Sequence, residues 1–400
     1  MTPTTHHSAP LRRQLTDKLS ADGFLRGSRW EEAFLAVPRE AFVSRFVLHD
    51  PSGERAEHDL ATDGAALEAI YTNASLITRH DAGGTPTSSS TSPSLMALML
   101  ERLDAHPGHR VLEIGTGSGY SSALLSHAVG PSGHVVTLDI DDALIARAHD
   151  LHRRAGTTNV DPRVGDGYQG WAAGGPYDRI IAWATPHVLP RPWMEQVTPG
   201  AVVVTSVKVA EVALANAVLR CHVTGGQPWL LSPHPGSMIE MHARVLTEFR
   251  LPIRYVDAAR HTPQGPCWIS GAALHAHPSA AAELLRDLTP TMTPLPSAPE
   301  NRDGFKAWVL ATHPDQAATA GDPEGWGIGL AGHDSAAVVR PDGTIHHAGS
   351  DRLLHQLRRS VRAWNDAGQP GFEALTAHAH PTAEGWAVRV SRRQQGLTGP

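Results

Sequence analysis

Residues 111–120 read Val-Leu-Glu-Ile-Gly-Thr-Gly-Ser-Gly-Tyr, and the fold class follows from them. A short apolar run enters three glycines at alternate positions, and an apolar segment at 121–129 follows with helical spacing. Glycines let a chain turn sharply and approach a ligand without Cβ clashes. A helix that starts there offers unpaired N–H groups to a polar or anionic ligand. The spacing is GxGxG, not the GxGxxG of dinucleotide-binding turns. Outward from this stretch, residues 134–138, 160–164, 179–183 and 201–207 read as further strands, and 142–155 as a helix. Strands alternating with helices predict a parallel α/β sheet covered on both faces. Residues 212–223 and 238–249 are expected to add an antiparallel pair at one edge.

Three acids stand at the ends of successive strands. Asp139 lies 24 residues beyond Gly115, where a carboxylate can accept both hydroxyls of a ribose. Asp166 follows the third strand and is placed to accept from an adenine amino group. Glu113 precedes the glycines and is expected to reach a methionine ammonium. Acids at successive strand ends beside a glycine loop point to S-adenosyl-L-methionine, with S-adenosyl-L-homocysteine as product. The expected cofactor set is Glu113, Gly115, Thr116, Gly117, Gly119, Tyr120, Asp139, Ile140, Asp166 and Gly167.

Residues 1–10 read as disordered. Apolar residues at helical spacing from Leu11 to Phe46 predict two helices separated at 23–28. Residues 81–94 consist of Gly, Ser, Thr and Pro after Asp81 and Ala82, which predicts a loop. Composition shifts near residue 250, and the Pro/Thr-rich stretch 289–300 reads as a linker. Beyond it, 305–311 and 386–390 read as strands, 336–340 and 344–347 as a hairpin, and 351–365 as an amphipathic helix. The expected organisation is therefore a nucleotide-binding domain at 11–250 and a smaller C-terminal α+β domain at 251–400, whose tryptophans would help hold a substrate.

Of the 400 residues, 41% are hydrophobic and 18% charged, an ordinary globular balance, and the formal net charge is −6. A duplex-binding protein usually carries a basic footprint, so nucleic acid is not the expected partner. Two cysteines make no disulfide framework and suggest a reducing cytoplasm. No apolar run is long enough to span a membrane, and the N-terminus does not read as a signal peptide. The 25 histidines are scattered without HExxH or CxxC spacing, so no metal site is expected.

With these residues in view, the chain resembles the protein-L-isoaspartate O-methyltransferases. The stretch VLEIGTGSGYSSALL is similar to their nucleotide-binding motif, and Val37-Pro38-Arg39-Glu40-Ala41-Phe42-Val43 to their N-terminal motif. Tyr177-Asp178-Arg179-Ile180-Ile181, the loop Ala184-Thr185-Pro186 with Pro190, and the turn Thr198-Pro199-Gly200 also match, so the likeness spans about residues 10–250. The resemblance implies a Rossmann-like class I methyltransferase sheet. There are departures. The family's Ile-Ser-x-Pro-His motif is Ser90-Thr91-Ser92-Pro93-Ser94 here. Trp183 replaces a smaller residue, and 79–87 look inserted. About 150 residues follow the shared region. The pattern is similar to a branch acting on ribosomally made modified peptides such as lanthipeptides and graspetides. In that branch an Asp of a cyclised precursor is methylated, and the ester closes to an aspartimide.

The implied reaction is methylation of an Asp or isoAsp carboxylate in a peptide or protein. A carboxylate of reference pKa about 3.9 is ionised at neutral pH and needs no general base. The protein has to align oxygen, methyl carbon and sulfur and exclude water. Thr91, with Ser90 and Ser94, is expected to hold the carboxylate, although Ser/Thr residues before a helix also serve as caps. General repair of isoaspartate and a non-catalytic cofactor-binding scaffold are the competing readings. A small-molecule or nucleic-acid methyltransferase would call for an amine motif or a basic groove, and the sequence has neither.

Overall fold

The computed structural model describes residues 8–49, 55–80, 86–245, 252, 254–291 and 301–393. Strands β1 (Arg45–His49), β2 (Arg55–Asp59), β3 (Leu76–His80) and β4 (Pro86–Ser90) form an antiparallel sheet in the order β2-β1-β3-β4. The central sheet comprises β5 (Arg110–Ile114), β6 (His134–Asp139), β7 (Val160–Val164), β8 (Tyr177–Ala182), β10 (Val197–Lys208), β11 (Asn216–Thr224) and β12 (Gln227–His234), while β9 is the pair Leu189–Pro190. Its order is β12-β11-β10-β8-β5-β6-β7. The strands from β10 to β7 run parallel, and β11 and β12 close the edge antiparallel. This is the Rossmann-like α/β sheet expected from the sequence.

Local chemistry sets the crossovers. The helix Asp142–Ala155 begins where the Asp141 carboxylate accepts from the N–H groups of Ala143 and Leu144, carries His152, Arg153 and Arg154 in its last turn, and stops at Gly156 in the left-handed region (φ 72°). Acid at the start and base at the end match the helix dipole.

Both faces of the central sheet are buried, by alternating residues. Val111, Ile181, Val202 and Val204 pack with Leu19, Trp30, Phe34 and the helices Pro93–Leu103 and Tyr120–Val129. Leu112, Ile180, Val203 and Leu219 face the other way, into a core shared with Phe305, Trp308, Leu353, Trp364 and Val388. The C-terminal half is thus the second cover of the sheet. It contains β13 (Ala258–Thr262), β14 (Gly265–Gly271), β15 (Thr289–Pro290), β16 (Ala317–Asp322), β17 (Gly325–Gly332), β18 (Ser335–Val339) and β19 (Ile345–Gly349), paired antiparallel in the order β13-β14-β16-β17-β18-β19-β15. The hairpin of β20 (Leu375–Pro381) and β21 (Gly385–Arg392) pairs with β9 of the first half. Buried hydrogen bonds cross as well: Ala213 N–H donates to Ser270 Oγ at 2.9 Å, and Thr319 Oγ1 donates to the Ala213 carbonyl at 2.9 Å.

Several expectations are corrected. The first helix starts at Ala9, so order begins before residue 10, and residues 1–7 lie outside the described residues. Phe42 and Phe46 are not helical; Phe46 lies on β1. The stretch 81–94 is not all loop, because 86–90 form β4; residues 81–85 lie outside the described residues. The edge pair is 216–224 with 227–234, and residues 238–245 are irregular, with 246–249 outside the described residues. Arg302–Thr312 is a helix, not a strand: Asn301 caps it by accepting from Gly304 N–H, and it is buried on several sides. The expected linker holds β15 at its start, and 292–300 lie outside the described residues. Trp308, Trp364 and Trp386 are 8%, 0% and 7% exposed and belong to the shared core, so they cannot hold a substrate at the surface.

Candidate active site

The cleft lies at the C-terminal ends of β5, β6 and β8, where open α/β sheets place their ligands. Its floor is the glycine loop. Gly115 has φ +90°, and a Cβ there would stand 3.5 Å from the Trp183 Cβ. Gly117 has φ +51°, and a Cβ there would come within 3.3 Å of the Ser89 carbonyl. Both conformations favour glycine, and both bare backbones face the cleft.

Asp139, at the end of β6, lines the cleft with Ile140. It accepts from Gly117 N–H at 3.1 Å and Asp141 N–H at 3.2 Å. Burial raises its pKa, and these N–H bonds oppose the rise. Gly165 and Gly167 extend the wall beyond β7. A Cβ at 167 would sit 2.7 Å from Ile114 Cγ2 and 3.2 Å from Met241 Sδ, so only glycine fits there. A glycine cradle, a carboxylate anchored beside it and an apolar slot fit a nucleoside-bearing cofactor.

Among the expected cofactor residues, Gly115, Gly117, Asp139, Ile140 and Gly167 come together at the cleft. The others do not. Glu113 is fully buried beneath the loop. It accepts from Thr137 Oγ1 at 2.7 Å and from the Trp183 indole N–H at 2.8 Å, so it is turned away from any ammonium. Burial pushes its carboxyl up to about 7 against the pull of these hydrogen bonds. Thr116 is buried with it and shares a 2.7 Å hydrogen bond with Thr137. Gly119 caps the helix Tyr120–Val129 and backs onto Phe42 and His152, while Tyr120 packs edge-on to Phe34 in the core. Asp166 closes its own turn by accepting from Tyr168 N–H at 2.9 Å.

Opposite the glycine loop stands a hydroxyl edge. Thr91 lines the cleft with Thr87, Ser88 and Ser89. Ser90 and Ser94 do not. Ser90 is buried, with Arg39 at 3.4 Å from its Oγ, and Ser94 sits in the first helical turn with its N–H on Asn73 Oδ1. Pro93 begins that helix after Ser92, whose own side chain makes no cap bond, and Asn73 serves the first-turn N–H of Ser94, so Thr91 is not a cap. The fully buried Arg39 guanidinium donates to the carbonyls of Ile70 (2.9 Å), Ala74 (3.3 Å), Ser90 (3.3 Å) and Thr91 (3.0 Å). Burial lowers its pKa to about 10. The N-terminal motif thereby positions the hydroxyl edge.

Two further walls escaped the sequence reading. Arg79, on β3, reaches across the cleft to an ion pair with Asp141, and both residues line it. Residues 238–245 form the opposite rim, tied to the loop after β8. There Thr185 N–H donates to the Ile239 carbonyl and Met241 N–H to the Thr185 carbonyl, both at 2.8 Å. Within this rim Glu240 pairs with the buried Lys208. β4, Pro86-Thr87-Ser88-Ser89-Ser90, shows no apolar alternation, and the rim has neither helical nor strand periodicity, so neither left a signal in the sequence.

Residues 11–220 match the family model of protein-L-isoaspartate(D-aspartate) O-methyltransferase. A protein-L-isoaspartate O-methyltransferase of Ignicoccus hospitalis is 32% identical over 197 residues, covering 49% of this chain and 82% of that protein. One from Serratia proteamaculans is 37% identical over 183 residues, covering 46% of this chain and 74% of that protein. A solved protein-L-isoaspartate O-methyltransferase structure is 21% identical with a TM-score of 0.49, covering 95% of this chain and 99% of that chain. With its glycine-loop cleft and its match over residues 11–220, the chain belongs to the protein-L-isoaspartate(D-aspartate) O-methyltransferase family and is an S-adenosylmethionine-dependent methyltransferase.

Proposed function

We propose that this enzyme methylates the free carboxylate of an isoAsp (its α-carboxylate) or Asp (its side-chain carboxylate) residue in a peptide, and that its particular substrate is a constrained, cyclised precursor peptide. Family membership supports the carboxylate chemistry. The observation behind the finer reading is the cleft itself, lined by the hydroxyls of Thr87, Ser88, Ser89 and Thr91 and by the bulky Trp183.

S-adenosylmethionine supplies an electrophilic methyl group on a sulfonium. Asp139 is assigned the ribose hydroxyls, Ile140 and Gly167 the adenine slot, and Gly115 and Gly117 the close backbone approach. Thr91 donates its hydroxyl to one acceptor oxygen and aims the other at the methyl. The acceptor is already anionic, so no proton has to move before attack. The rim at 238–245 and residues of β3 and β4 flank the cleft, and displacement of water from between them by the substrate would strengthen each polar contact inside. The ester formed can then be attacked by the following backbone nitrogen, with loss of methanol, to give an aspartimide.

General repair is the second reading, favoured by the names of the relatives. A mass-shift assay of methyl transfer separates the two. The chain would be given a linear peptide with one isoAsp, its Asp counterpart, and a side-chain-cyclised peptide carrying Asp. Methylation of Asp in the cyclised peptide alone supports the finer reading. Methylation of linear isoAsp alone overturns it in favour of repair.

A further inference from the structure

We propose that Trp183 is a positioning residue for the methyl donor, its indole ring forming the wall that faces the sulfonium while Glu113 holds the ring in place from below. The inference depends on the cofactor and not on which peptide is methylated.

The strand order gives the argument its direction. Asp139 ends β6, Gly115 follows β5 and Trp183 follows β8, and these three strands are neighbours in the order β8-β5-β6. Adjacent strands lie about 4.8 Å apart, so Asp139 and Trp183 flank the glycine loop roughly 10 Å from one another. The narrow slot of Ile140, Gly165 and Gly167 lies on the β6–β7 side. A nucleoside with its base in that slot and its ribose on Asp139 directs its 5′ substituent across β5 toward Trp183. In S-adenosylmethionine that substituent begins with the sulfonium.

Trp183 is built to stay where it is. Its indole N–H donates to Glu113 Oε1 at 2.8 Å, and the other carboxylate oxygen accepts from Thr137, itself hydrogen-bonded to Thr116. The backbone and Cβ of Trp183 pack on Gly115. The tethered edge points inward, and the side chain lines the cleft. A cation over an aromatic face is attracted by the ring quadrupole, most strongly for Trp. Of the three carboxylates lining the cleft among the described residues, Asp141 pairs with Arg79, Glu240 pairs with Lys208, and Asp139 is anchored by loop amides on the ribose side, away from Trp183. The ring is what answers the positive charge.

S-adenosylhomocysteine is the same molecule without that charge, which gives a test independent of turnover. Calorimetric affinities for both ligands would be measured on the full chain, on Trp183→Leu and on Trp183→Phe. The expected result is that Trp183→Leu weakens S-adenosylmethionine by roughly 3- to 30-fold, with S-adenosylhomocysteine changed less than about twofold, and that Trp183→Phe, which keeps an aromatic face but loses the hydrogen bond to Glu113, recovers part of the loss. Retained S-adenosylhomocysteine binding also shows that the variant folds. Equal weakening of both ligands would reduce Trp183 to a steric wall and overturn the proposal. So would an unchanged preference, or failure of phenylalanine to restore any of it.

Discussion

Glu113 offers the sharpest test of how the floor of the cleft is built. Its carboxyl titrates near 7 in the folded chain against an ordinary value of 4.5, because burial penalises the charge more than its hydrogen bonds repay. The folded pKa is raised. Below pH 4.5 the group is protonated in both states and contributes no pH dependence. Between 4.5 and 7 the folded state binds the extra proton, so stability falls as pH rises, and above 7 the whole cost is present. A displacement of that size corresponds to about 3 kcal/mol, since each pH unit is worth ~1.4 kcal/mol. Glu113→Gln removes the ionisation and keeps a side-chain oxygen for the Trp183 N–H. The Thr137 hydroxyl can turn toward Thr116, its partner at 2.7 Å, and accept from the new amide. The assay is thermal unfolding of both proteins from pH 5 to pH 8, taken as a difference so that other titrations cancel. With about 2.1 cal/mol/K of unfolding entropy per residue, 400 residues convert 3 kcal/mol to roughly 4 °C. Relative to the variant, wild type should lose most of that, about 3 °C, between the two pH values, since at pH 5 a small part of the cost is already present. A difference that stays flat with pH, or that favours wild type as pH rises, would refute the reasoning.

Other outcomes can be checked alongside. Asp139→Ala should weaken S-adenosylmethionine by about 1–3 kcal/mol in calorimetry, the cost of leaving ligand hydroxyls unpaired; an unchanged affinity removes Asp139 from the site. Thr91→Ala should slow methyl transfer about a hundredfold with cofactor affinity preserved, as for loss of one positioned donor; a loss of melting temperature without a loss of rate would return the residue to a structural role. Arg39→Lys should destabilise the chain by about 3 kcal/mol or more in chemical denaturation, because a lysine cannot satisfy the carbonyls the guanidinium now serves; a change under about 1 kcal/mol would mean the fork is replaceable. Trp364→Ala removes a fully buried indole that stacks edge-on with Phe305 at 5.5 Å and donates to the Pro370 carbonyl. It should cost about 3–5 kcal/mol and lower a single unfolding transition; two separable transitions would show that the halves melt independently.

The central sheet was legible in its inner strands β5, β6, β8 and β10, which carry apolar runs followed by glycine, acid or loop residues, as doubly covered parallel strands do; the edge strand β7, Val160-Asp161-Pro162-Arg163-Val164, is only partly covered. The cofactor side of the cleft was legible in part. Strand ends locate residues along the chain, but they do not say which way a side chain turns. Asp139 and Glu113 are both acids at strand ends, yet one faces the cleft and the other the core, a difference fixed by the partners Thr137 and Trp183. The acceptor side was harder. β4 carries serines and threonines and is held by pairing with β3 and by Arg39, not by an apolar face of its own. The Arg302–Thr312 helix was misread because a short apolar run surrounded by core has no polar face to reveal its period. Three of the C-terminal tryptophans, Trp308, Trp364 and Trp386, were misjudged because composition does not show how deep a ring lies, while Trp326 is only partly buried.

The apolar face of the central sheet that carries Leu112, Ile180 and Val203 is covered by residues as late as Val388 and Val390. On the ribosome, synthesis at about 5–20 residues per second leaves a delay of roughly 10–30 s between completion of the methyltransferase strands and arrival of their cover. Throughout that interval a parallel sheet stands with one greasy side open to water and to its neighbours. The nascent chain should therefore lean on holdase chaperones, and loss of its last strands should show first as aggregation during synthesis, before any catalytic defect could be measured.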